Sequence, residues 1–546
     1  MNNQQSGFDY DVAIVGAGIA GALIGWQLAK GGAKVIILEA GPPMDRSTGV
    51  SRAFASAIPG LPEAAYPNSP WAPTPSSLDP NSYYVQTGPD MFSSNYERLV
   101  GGTTWHWLGT AIRLVPNDFA MQSTYGVAVD WPITYDDLEP WYLTAEQTIG
   151  VAGDSSQFDG APRSGDFPMP VIPLTWSDKK FAAAAETLGL EVLATPAARV
   201  STQGGFNDRP QCCGNAFCIP MCPIGAKYDA TVHLDLATEA GAEVRDSSVV
   251  FQLDADENGN ITTIHYRRPD KSDETLTAKI VVAAAHAIET PKLLLMSATD
   301  KLPNGLANSS DQVGRHLMDH PTQLSYALAN DPMGPYRAPL STAGIEQLRD
   351  VPERSTRSSF RIEIGNDGWS WPGMDPVSWS VNLIEQGIWG VDLYDQIAKL
   401  NVRAVRMAAL CEQLPDPDSR VTLSDQMDAI GLPRPALHYI VDDYTKQGIA
   451  AARDQFTAIF DALGTTQLTQ VDALQGAGHI MGTCRMGTDK SSSVTDSFGR
   501  TWDHPNLWIA GSSLFPTTGT ANPTLTIAAL ALRSAPEIEQ ALADMA

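Results

Sequence analysis

The chain has 546 residues, enough to bury a large core and to form two domains, or one large cofactor domain with an inserted second one. Its formal net charge of −26 disfavours nucleic acid and anionic membrane surfaces as direct partners, because both would be repelled. No apolar run approaches the roughly 20 residues that span a bilayer, and the polar N-terminus lacks the basic and apolar regions of a signal peptide. Taken alone, these features favour a cytoplasmic protein.

A dinucleotide-binding pattern lies near the N-terminus. Residues 11–15 form an apolar run, a helical pattern covers 19–30, and a second apolar run ends at Glu39. The turn before the helix holds three glycines: Gly16, Gly18 and Gly21. Glycines let the backbone approach a pyrophosphate, the helix N-terminus offers free N–H groups, and an acid at this distance binds a ribose hydroxyl pair. The pattern therefore predicts a dinucleotide site.

Residues 42–90 are rich in Pro, Ser and Tyr and predict a long surface excursion. A glycine-threonine segment follows, and it consists of Gly101, Gly102, Thr103, Thr104, Trp105, His106 and Trp107. Two glycines beside two hydroxyl residues would let the backbone approach a flat cofactor closely, and the tryptophans flanking His106 could pack beside that cofactor. An ordinary glycine turn with a core tryptophan explains the segment equally well.

Four of the six cysteines lie close together: Cys212, Cys213, Cys218 and Cys222. The glycine and prolines around them break any helix and let several sulfurs converge on one centre. Iron-sulfur ligation, structural zinc and a plain disulfide are the alternatives, and a single compact run ending in Cys-Pro favours iron-sulfur. Adjacent side chains in an extended loop point apart, so Cys212 and Cys213 are not both expected to bind one cluster. Three ligands fit a three-iron cluster better than a cubane.

The remaining patterns predict a strand at 275–282 and helices at 136–150, 177–188, 289–297 and 443–463. Between about 322 and 442, alternating runs such as 359–364 and 377–383 predict an antiparallel sheet. Near the C-terminus, His479 precedes a Gly-Thr turn and Asn522 precedes a proline and an apolar helix. Each has an ordinary explanation, as a structural histidine and as a helix cap.

Together these segments resemble the glucose-methanol-choline (GMC) oxidoreductase family of flavoproteins, in the family's motif order from 11 to 532. The specific motifs are the glycine turn with Glu39, the 101–104 segment, the VGR-x-L-x-DHP pattern at 313–321, His479-x-x-Gly-Thr and Asn522-Pro523. The resemblance implies an α/β fold, with a doubly wound, Rossmann-like FAD-binding domain and an antiparallel-sheet substrate domain over the flavin. The implied FAD-binding domain comprises 1–115, 195–321 and 470–546, with an iron-sulfur loop at 211–228, and the substrate-binding domain comprises 116–194 and 322–469.

The resemblance also implies the site residues. The family's catalytic pair matches His479, as the base that takes the hydroxyl proton while hydride passes to the flavin, and Asn522, which orients the hydroxyl. Many members carry an Asp where this chain has Gly511-Ser512-Ser513, so that flavin contact is lost or moves to the backbone. His106 matches a histidine that is covalently bonded to flavin in the pyranose oxidase branch, so it is a candidate flavin contact. The implied cofactor-binding residues are Gly16, Gly18, Gly21, Glu39, Gly101, Gly102, Thr103, Thr104, His106, Trp107, Gly511, Pro523 and Thr524.

The cysteine run resembles a subset of the family, the catalytic subunits of membrane-bound bacterial glucose, gluconate and fructose dehydrogenases. In that subset a three-iron cluster lies between FAD and a multihaem cytochrome. The resemblance implies an FAD-dependent sugar or polyol dehydrogenase, with glucose as the first substrate expected. It also implies a cytochrome or quinone acceptor and a 3Fe-4S cluster, whose candidate ligands are Cys212, Cys213, Cys218 and Cys222. It implies a small partner with a twin-arginine signal, and hence a periplasmic location with membrane association only through a partner. The alternatives are a soluble GMC alcohol oxidase or dehydrogenase without a relay cluster, and a non-catalytic FAD electron-transfer subunit.

Overall fold

The computed structural model, which describes residues 7–545 except 57, 59 and 369–374, contains two large sheets. The first has five parallel strands, in the order Leu507–Ile509, Ala278–Ala283, Tyr10–Val15, Val35–Leu38 and Glu243–Arg245. Val12 pairs with Val35 on one side and with Ile280 on the other. The central strands are almost continuously apolar because a parallel sheet is normally covered on both faces.

Helices and a small sheet pack around the parallel sheet. Helix Ile19–Lys30 contacts both the C-terminal helix Thr524–Asp544 and helix Thr231–Glu239. A three-stranded antiparallel sheet contacts strand Ala278–Ala283 and consists of Val249–Ala255, Ile261–Arg267 and Asp273–Leu276. The apolar side chains of these elements form one continuous hydrophobic core.

The second large sheet is antiparallel. Its strands run in the order Thr465–Gln470, Pro321–Ala329, Ala404–Cys411, Phe360–Gly365, Ser341–Ile345 and Leu193–Ala194, and the short strand Gln475–Gly476 also pairs with Pro321–Ala329. Helices Asp443–Leu463 and Trp176–Glu186 pack against one apolar face. Side chains alternate between the faces of a strand, and the opposite face of this sheet borders a large cavity.

The other elements are connections between these layers. The remaining α-helices are Arg46–Ala55, Met121–Tyr125, Tyr135–Ile149, His286–Met296, Pro376–Glu385 and Gly390–Asn401. Short 3-10 helices are Pro80–Ser82, Gly102–Trp105, Pro116–Phe119, Pro352–Ser355 and Ser512–Leu514. There are two further small sheets among the described residues. One has three strands, Val85–Gln86, Arg420–Met427 and Pro433–His438, and the other has two, Ala152–Gly153 and Met169–Pro170. None of the helices that the structure describes has the length and hydrophobicity needed to cross a bilayer.

Most predicted elements are confirmed, and helices Ile19–Lys30 and Asp443–Leu463 have the predicted bounds. The strand predicted at 377–383 is wrong, because these residues belong to helix Pro376–Glu385. Asp375 accepts hydrogen bonds from the N–H groups of two residues in the first turn, and a proline occupies the first helical position. This local capping outweighs the alternating pattern.

The surface excursion predicted for residues 42–90 is only partly correct. Helix Arg46–Ala55 lies within it, and Tyr83 and Tyr84 are each 1% exposed. Their rings pack in a cluster with Phe92 and Tyr439. The segment therefore contributes to the core, through aromatic side chains whose spacing follows neither helical nor strand periodicity.

Candidate active site

A cavity of about 1260 Å³ lies between the two large sheets. This exceeds the roughly 300–1,000 Å³ of ordinary small-molecule sites and leaves room for a dinucleotide together with a substrate. The predicted site residues on its wall are Gly16, Gly18, Glu39, Gly102, Thr103, Thr104, His106, Trp107, His479, Gly511, Asn522, Pro523 and Thr524. The cavity thus brings together segments from both ends of the chain.

The three glycines of the first turn differ in their surroundings. A Cβ added at Gly16, where φ is +108°, would lie 2.5 Å from the carbonyl oxygen of Ala284. A Cβ added at Gly21 would lie 2.0 Å from the carbonyl oxygen of Gly16. Gly21 is not among the residues that line the cavity, and its missing side chain lets the helix pack closely against the glycine turn. Gly18 has no atom within 4 Å of such a Cβ. Its open face and the free N–H groups of the following helix form a cradle that fits a pyrophosphate.

Glu39 directly follows strand Val35–Leu38 and is 5% exposed. Its carboxylate accepts hydrogen bonds from the backbone N–H groups of Ala17, at 2.9 Å, and Gly41, at 3.0 Å. Burial raises the pKa of Glu39, and these hydrogen bonds act against that rise. Each carboxylate oxygen has a further lone pair, and Glu39 lines the cavity, so the residue fits the ribose role predicted for it.

The glycine-threonine segment lies against the first glycine turn. A Cβ added at Gly102 would lie 3.3 Å from Cα of Gly18. Gly101 stands behind the wall, since a Cβ there would meet the indole of Trp105 at 2.7 Å. The buried ammonium of Lys227 donates to the carbonyl oxygen of Trp105 at 2.7 Å. Lys227 lies near the end of the cysteine loop, and its ammonium also donates to the carbonyl oxygen of Trp107, which connects the loop to the cavity wall.

His106 faces Glu97 across 3.7 Å, measured from Nδ1 to Oε1. Among the described residues, neither of these two buried atoms has a hydrogen-bond partner. Burial lowers the pKa of His106 to about 3 and raises the pKa of Glu97 well above its ordinary value. Both residues line the cavity. Buried polar atoms are normally hydrogen-bonded, so the pair fits contact with a polar group of a bound cofactor.

His479 lies between His320 and Asn522. Its Nδ1 is 2.9 Å from Nδ1 of His320, and its Nε2 is 3.3 Å from Nδ2 of Asn522. Nε2 of His320 is 2.9 Å from the carbonyl oxygen of Gly519. The helix-cap explanation of Asn522 is wrong, because the C-terminal helix has Pro523 as its N-cap and the Asn522 amide contacts His479 instead.

The contacts of His320 determine where the protons lie. A carbonyl oxygen can only accept, so Nε2 of His320 carries a proton and donates to Gly519. Burial lowers the pKa of His320 to about 4, so the ring is neutral and its Nδ1 is an acceptor. His479 therefore donates from Nδ1, and its Nε2 keeps a lone pair beside Asn522. Burial lowers the pKa of His479 well below its ordinary value, and electrostatic interactions with His320 and Arg361 lower it further.

Asp319 fixes the backbone around this pair. Its Oδ1 accepts from the N–H groups of His479, at 2.9 Å, and His320, at 2.7 Å. Ser94 donates to its other oxygen. Burial raises the pKa of Asp319 to about 6. His479 and His320 are thus held through main-chain bonds to one carboxylate.

The cysteine loop holds free thiols, since all six cysteines lack disulfide partners. Cys213 is exposed and Cys212 half-buried, whereas Cys218 and Cys222 are buried. Burial raises the pKa of Cys212, and electrostatic interactions with Cys218 and Cys222 add to the rise. Within the described part of the chain, no three His, Cys, Asp or Glu side chains already stand in a metal-binding arrangement.

Some residues of the candidate site were given no role from the sequence; one of them, His320, lies behind the cavity wall, and the others line the cavity. His320 lies inside the DHP pattern, which supported the family resemblance but assigned no function to this histidine. Glu97 precedes the glycine-threonine segment and carries no motif. Glu363 and Arg406 come from the antiparallel sheet, where charged residues in alternation with apolar ones marked a polar face.

The chain matches models of known families. A model described as FAD dependent oxidoreductase matches residues 11–133, and two models described as GMC oxidoreductase match 95–322 and 415–531. The fructose dehydrogenase large subunit of Gluconobacter japonicus is 38% identical over 97% of this chain and 97% of its own. The 2-methyl-1,2-propanediol dehydrogenase of Mycolicibacterium austroafricanum is 29% identical over 98% of this chain and 96% of its own.

A solved structure supports the same fold. The pyridoxine 4-oxidase from Mesorbium loti superimposes with a TM-score of 0.67 at 17% identity, covering 97% of this chain and 99% of that one. The identity is low enough that this likeness concerns the fold alone. The fold, the open glycine cradle and the full-length similarity to a 38% identical relative agree, and the chain therefore belongs to the GMC family of FAD-dependent oxidoreductases.

Proposed function

We propose that this chain is the catalytic subunit of an FAD-dependent sugar or polyol dehydrogenase. The observation that carries the proposal is the unprotonated Nε2 of His479, which faces the cavity beside the amide of Asn522. The name of the relative from Gluconobacter japonicus, fructose dehydrogenase large subunit, supports a sugar as substrate. Fructose thus joins glucose as the first substrates to test.

His479 and Asn522 would act on one substrate hydroxyl. A hydroxyl placed between them can donate to Nε2 of His479 and accept from Nδ2 of Asn522, since these two nitrogens are 3.3 Å apart. His479 takes the hydroxyl proton as the C–H bond breaks. FAD, when bound, supplies the hydride acceptor. His320 is not among the residues that line the cavity, and we assign it as a positioning residue, because it holds the Nδ1 proton of His479 away from the reacting face.

The FAD-binding segments would be 1–115, 195–321 and 470–546, with 116–194 and 322–469 forming the substrate-binding domain. Glu39 would bind the ribose and Gly18 the pyrophosphate, in keeping with their open faces on the cavity. The other cofactor contacts would be Gly16, Gly102, Thr103, Thr104, His106, Trp107, Gly511, Pro523 and Thr524, with Gly21 and Gly101 shaping the backbone behind them.

Cys212, Cys218 and Cys222 would hold a three-iron cluster. Their thiols are free and lie within residues 212–222 of one loop, and thiolate is the donor that iron-sulfur clusters require. Exposed Cys213 is the less suitable member of the adjacent pair. Such a cluster supplies single-electron transfer to an acceptor such as a multihaem cytochrome or a quinone. A small partner with a twin-arginine signal, a periplasmic location and membrane association through a partner would accompany this relay.

A second candidate is a GMC alcohol oxidase or dehydrogenase without a relay cluster. It is favoured by one observation: the described thiols are not already arranged around a common centre. Iron and zinc measurements on anaerobically prepared protein separate the two. About three irons per chain, with an electron paramagnetic resonance signal in the oxidised state, would support the relay. Iron-free protein that still transfers electrons from a sugar to a dye would reject the cluster and the cytochrome partner.

The catalytic proposal is tested by mixing FAD-loaded protein with glucose, fructose and related polyols without oxygen. We expect loss of the flavin absorbance, and we expect His479→Ala to slow it by about 10²–10⁴-fold. His265→Ala is the matched control, because His265 pairs with Asp254 on the small antiparallel sheet. An unchanged rate in His479→Ala, with FAD still bound, would contradict the role of His479.

A further inference from the structure

We propose that Glu363, Asp367 and Arg406, here called the charged wall, bind the hydroxyls of a neutral polyhydroxylated substrate and disfavour anionic sugar acids. All three side chains line the cavity that contains His479. The inference rests on the proposed function, since it concerns the substrate of the same site, and it narrows that substrate to a charge class.

The charged wall arises from strand alternation. In strand Phe360–Gly365, Ile362 and Ile364 belong to the apolar cluster on the helix-covered face, so Glu363 points to the other face. In the paired strand Ala404–Cys411, Arg406 alternates in the same way with apolar core residues. Arg406 is 3% exposed and Glu363 5% exposed. Charges buried to this extent require partners.

The partners form a continuous network of ion pairs. Arg406 lies 2.6 Å from Asp367 and 3.4 Å from Glu363. Arg361 lies 3.5 Å from the other oxygen of Glu363 and 2.8 Å from Glu346. Arg349 adds a third guanidinium, 3.5 Å from Glu346. Three guanidinium groups therefore alternate with three carboxylates among the described residues of this network.

Two glycines make room for the network. A Cβ added at Gly365 would lie 2.2 Å from Nη2 of Arg406, and a Cβ added at Gly344 would lie 2.4 Å from Nη2 of Arg361. Neither glycine has a left-handed backbone, so the space above it, not its conformation, is what a side chain would change. The sheet thus positions both guanidinium groups on the face that borders the cavity.

The charged wall lies on the same sheet as the segment next to the proposed base: strand Ala404–Cys411, which carries Arg406, pairs with strand Pro321–Ala329, which begins directly after His320. The same part of the cavity is lined by Thr322 and Gln475. Carboxylate oxygens accept from hydroxyls, and a guanidinium donates to them. A substrate with several hydroxyls can satisfy these groups, whereas a simple alcohol would leave them desolvated without replacement bonds.

Charge decides between neutral sugars and sugar acids. Arg406 is already engaged by two carboxylates of the wall, and a third, Asp375, lines the cavity at the start of helix Pro376–Glu385. The other cavity-lining cations that the structure describes, Arg98 and Lys292, pair with Glu289 on helix His286–Met296. On the cavity surface, a substrate carboxylate at the wall would meet three carboxylates and one guanidinium, since Arg361 and Arg349 are not among the lining residues; this raises the free energy of its binding.

The first experiment compares donors on FAD-loaded protein, by kcat/KM with a dye acceptor: glucose, fructose, sorbitol, gluconate and 2-propanol. We expect at least one neutral sugar or polyol to exceed gluconate and 2-propanol by tenfold or more. Gluconate equal to or better than every neutral donor would overturn the charge argument while leaving the oxidoreductase function intact. No reduction by any of them, with dithionite still reducing the flavin, would overturn the proposed function and this inference together.

A variant set then tests the charged wall itself. Glu363→Gln should lower kcat/KM for the preferred neutral donor at least tenfold and raise the gluconate-to-neutral ratio at least tenfold. Gly365→Ala displaces the Arg406 guanidinium without changing charge, so it should raise KM and leave that ratio unchanged. Glu257→Gln, at a surface pair with Lys301, is the matched control. If Glu363→Gln cannot retain FAD, the same test is made on Asp367→Asn. An unchanged ratio in a variant with normal FAD content and thermal unfolding would overturn the inference.

Discussion

Replacing His320 tests whether this residue sets the tautomer of His479. His320 donates from Nε2 to Gly519 and accepts at Nδ1 from His479, both at 2.9 Å. His320→Leu removes the acceptor and leaves the Nδ1 proton of His479 unpaired in a buried position. His320→Asn keeps an oxygen close to the position of the imidazole Nδ1, so it can still accept that proton. The two variants therefore separate loss of the acceptor from loss of the ring.

The size of the effect follows from the lost acceptor. A buried donor without a partner costs about 1–3 kcal/mol, and His479 can escape this cost by moving its proton to Nε2, where it blocks the base. Since about 1.4 kcal/mol corresponds to a factor of ten in rate, flavin reduction in His320→Leu should slow by about 10–100-fold. His320→Asn should stay within about fivefold of the wild type by the same conversion. KM should change little, because His320 is not on the cavity wall.

The assay is anaerobic stopped-flow mixing of FAD-loaded protein with sugar, followed by the loss of flavin absorbance. FAD content and thermal unfolding are measured on the same preparations, so that a folding defect is not mistaken for a chemical one. Equal slowing in His320→Asn and His320→Leu would refute the tautomer argument. A wild-type rate in His320→Leu would show that His479 needs no acceptor at Nδ1.

Three further predictions concern the base, the cradle and the cysteine loop. Because burial lowers the pKa of His479, its imidazole stays neutral on acidification, so kcat/KM should stay level from about pH 8 to about pH 6.5, where an ordinary histidine would be half protonated. The pKa of Asp319, raised to about 6, sets the lower end of this window. A fall to half the plateau at about pH 6.5 would contradict the prediction. Gly18→Ala fills the open side of the turn and should weaken FAD binding at least tenfold in a fluorescence titration, whereas Gly204→Ala, also in open space, should not. Cys212→Ser should remove iron from the protein, and Cys213→Ser should retain it, by metal analysis of purified samples; the reverse would exchange the roles of the pair.

Local patterns predicted the elements that local interactions determine. The first strand, the glycine turn and helix Ile19–Lys30 were predicted because an apolar run, a glycine-rich turn and a helical pattern in that order are typical of a dinucleotide-binding unit. Helix Asp443–Leu463 was predicted with its bounds, since an acidic N-cap and a terminal glycine flank its amphipathic pattern. Helix Pro376–Glu385 was missed because alternation was given more weight than its capping aspartate and proline.

The site was predictable only where a motif carried it. His479 and Asn522 lie 43 residues apart and meet at 3.3 Å, a proximity that the family resemblance implied and no periodicity could. The contact between His320 and His479 spans 159 residues. The charged wall depends on strand register, because a shift of one residue would exchange Glu363 with Ile364 on the cavity face. Register is a tertiary property, so the alternating pattern predicted the antiparallel sheet but not the ion pairs on its cavity face.

Different interactions hold the proposed base and the charged wall in place, so the position of the proton acceptor does not depend on the residues proposed to select the substrate. Asp319 binds the backbone of His479 and His320, and pairing of Pro321 with Gly476 holds the two segments together. Side-chain ion pairs on strands Phe360–Gly365 and Ala404–Cys411 hold the wall instead. Both assemblies adjoin strand Pro321–Ala329, which keeps them at a fixed separation. Substitutions in the wall should therefore change which hydroxyl compound binds while the proton acceptor remains in place.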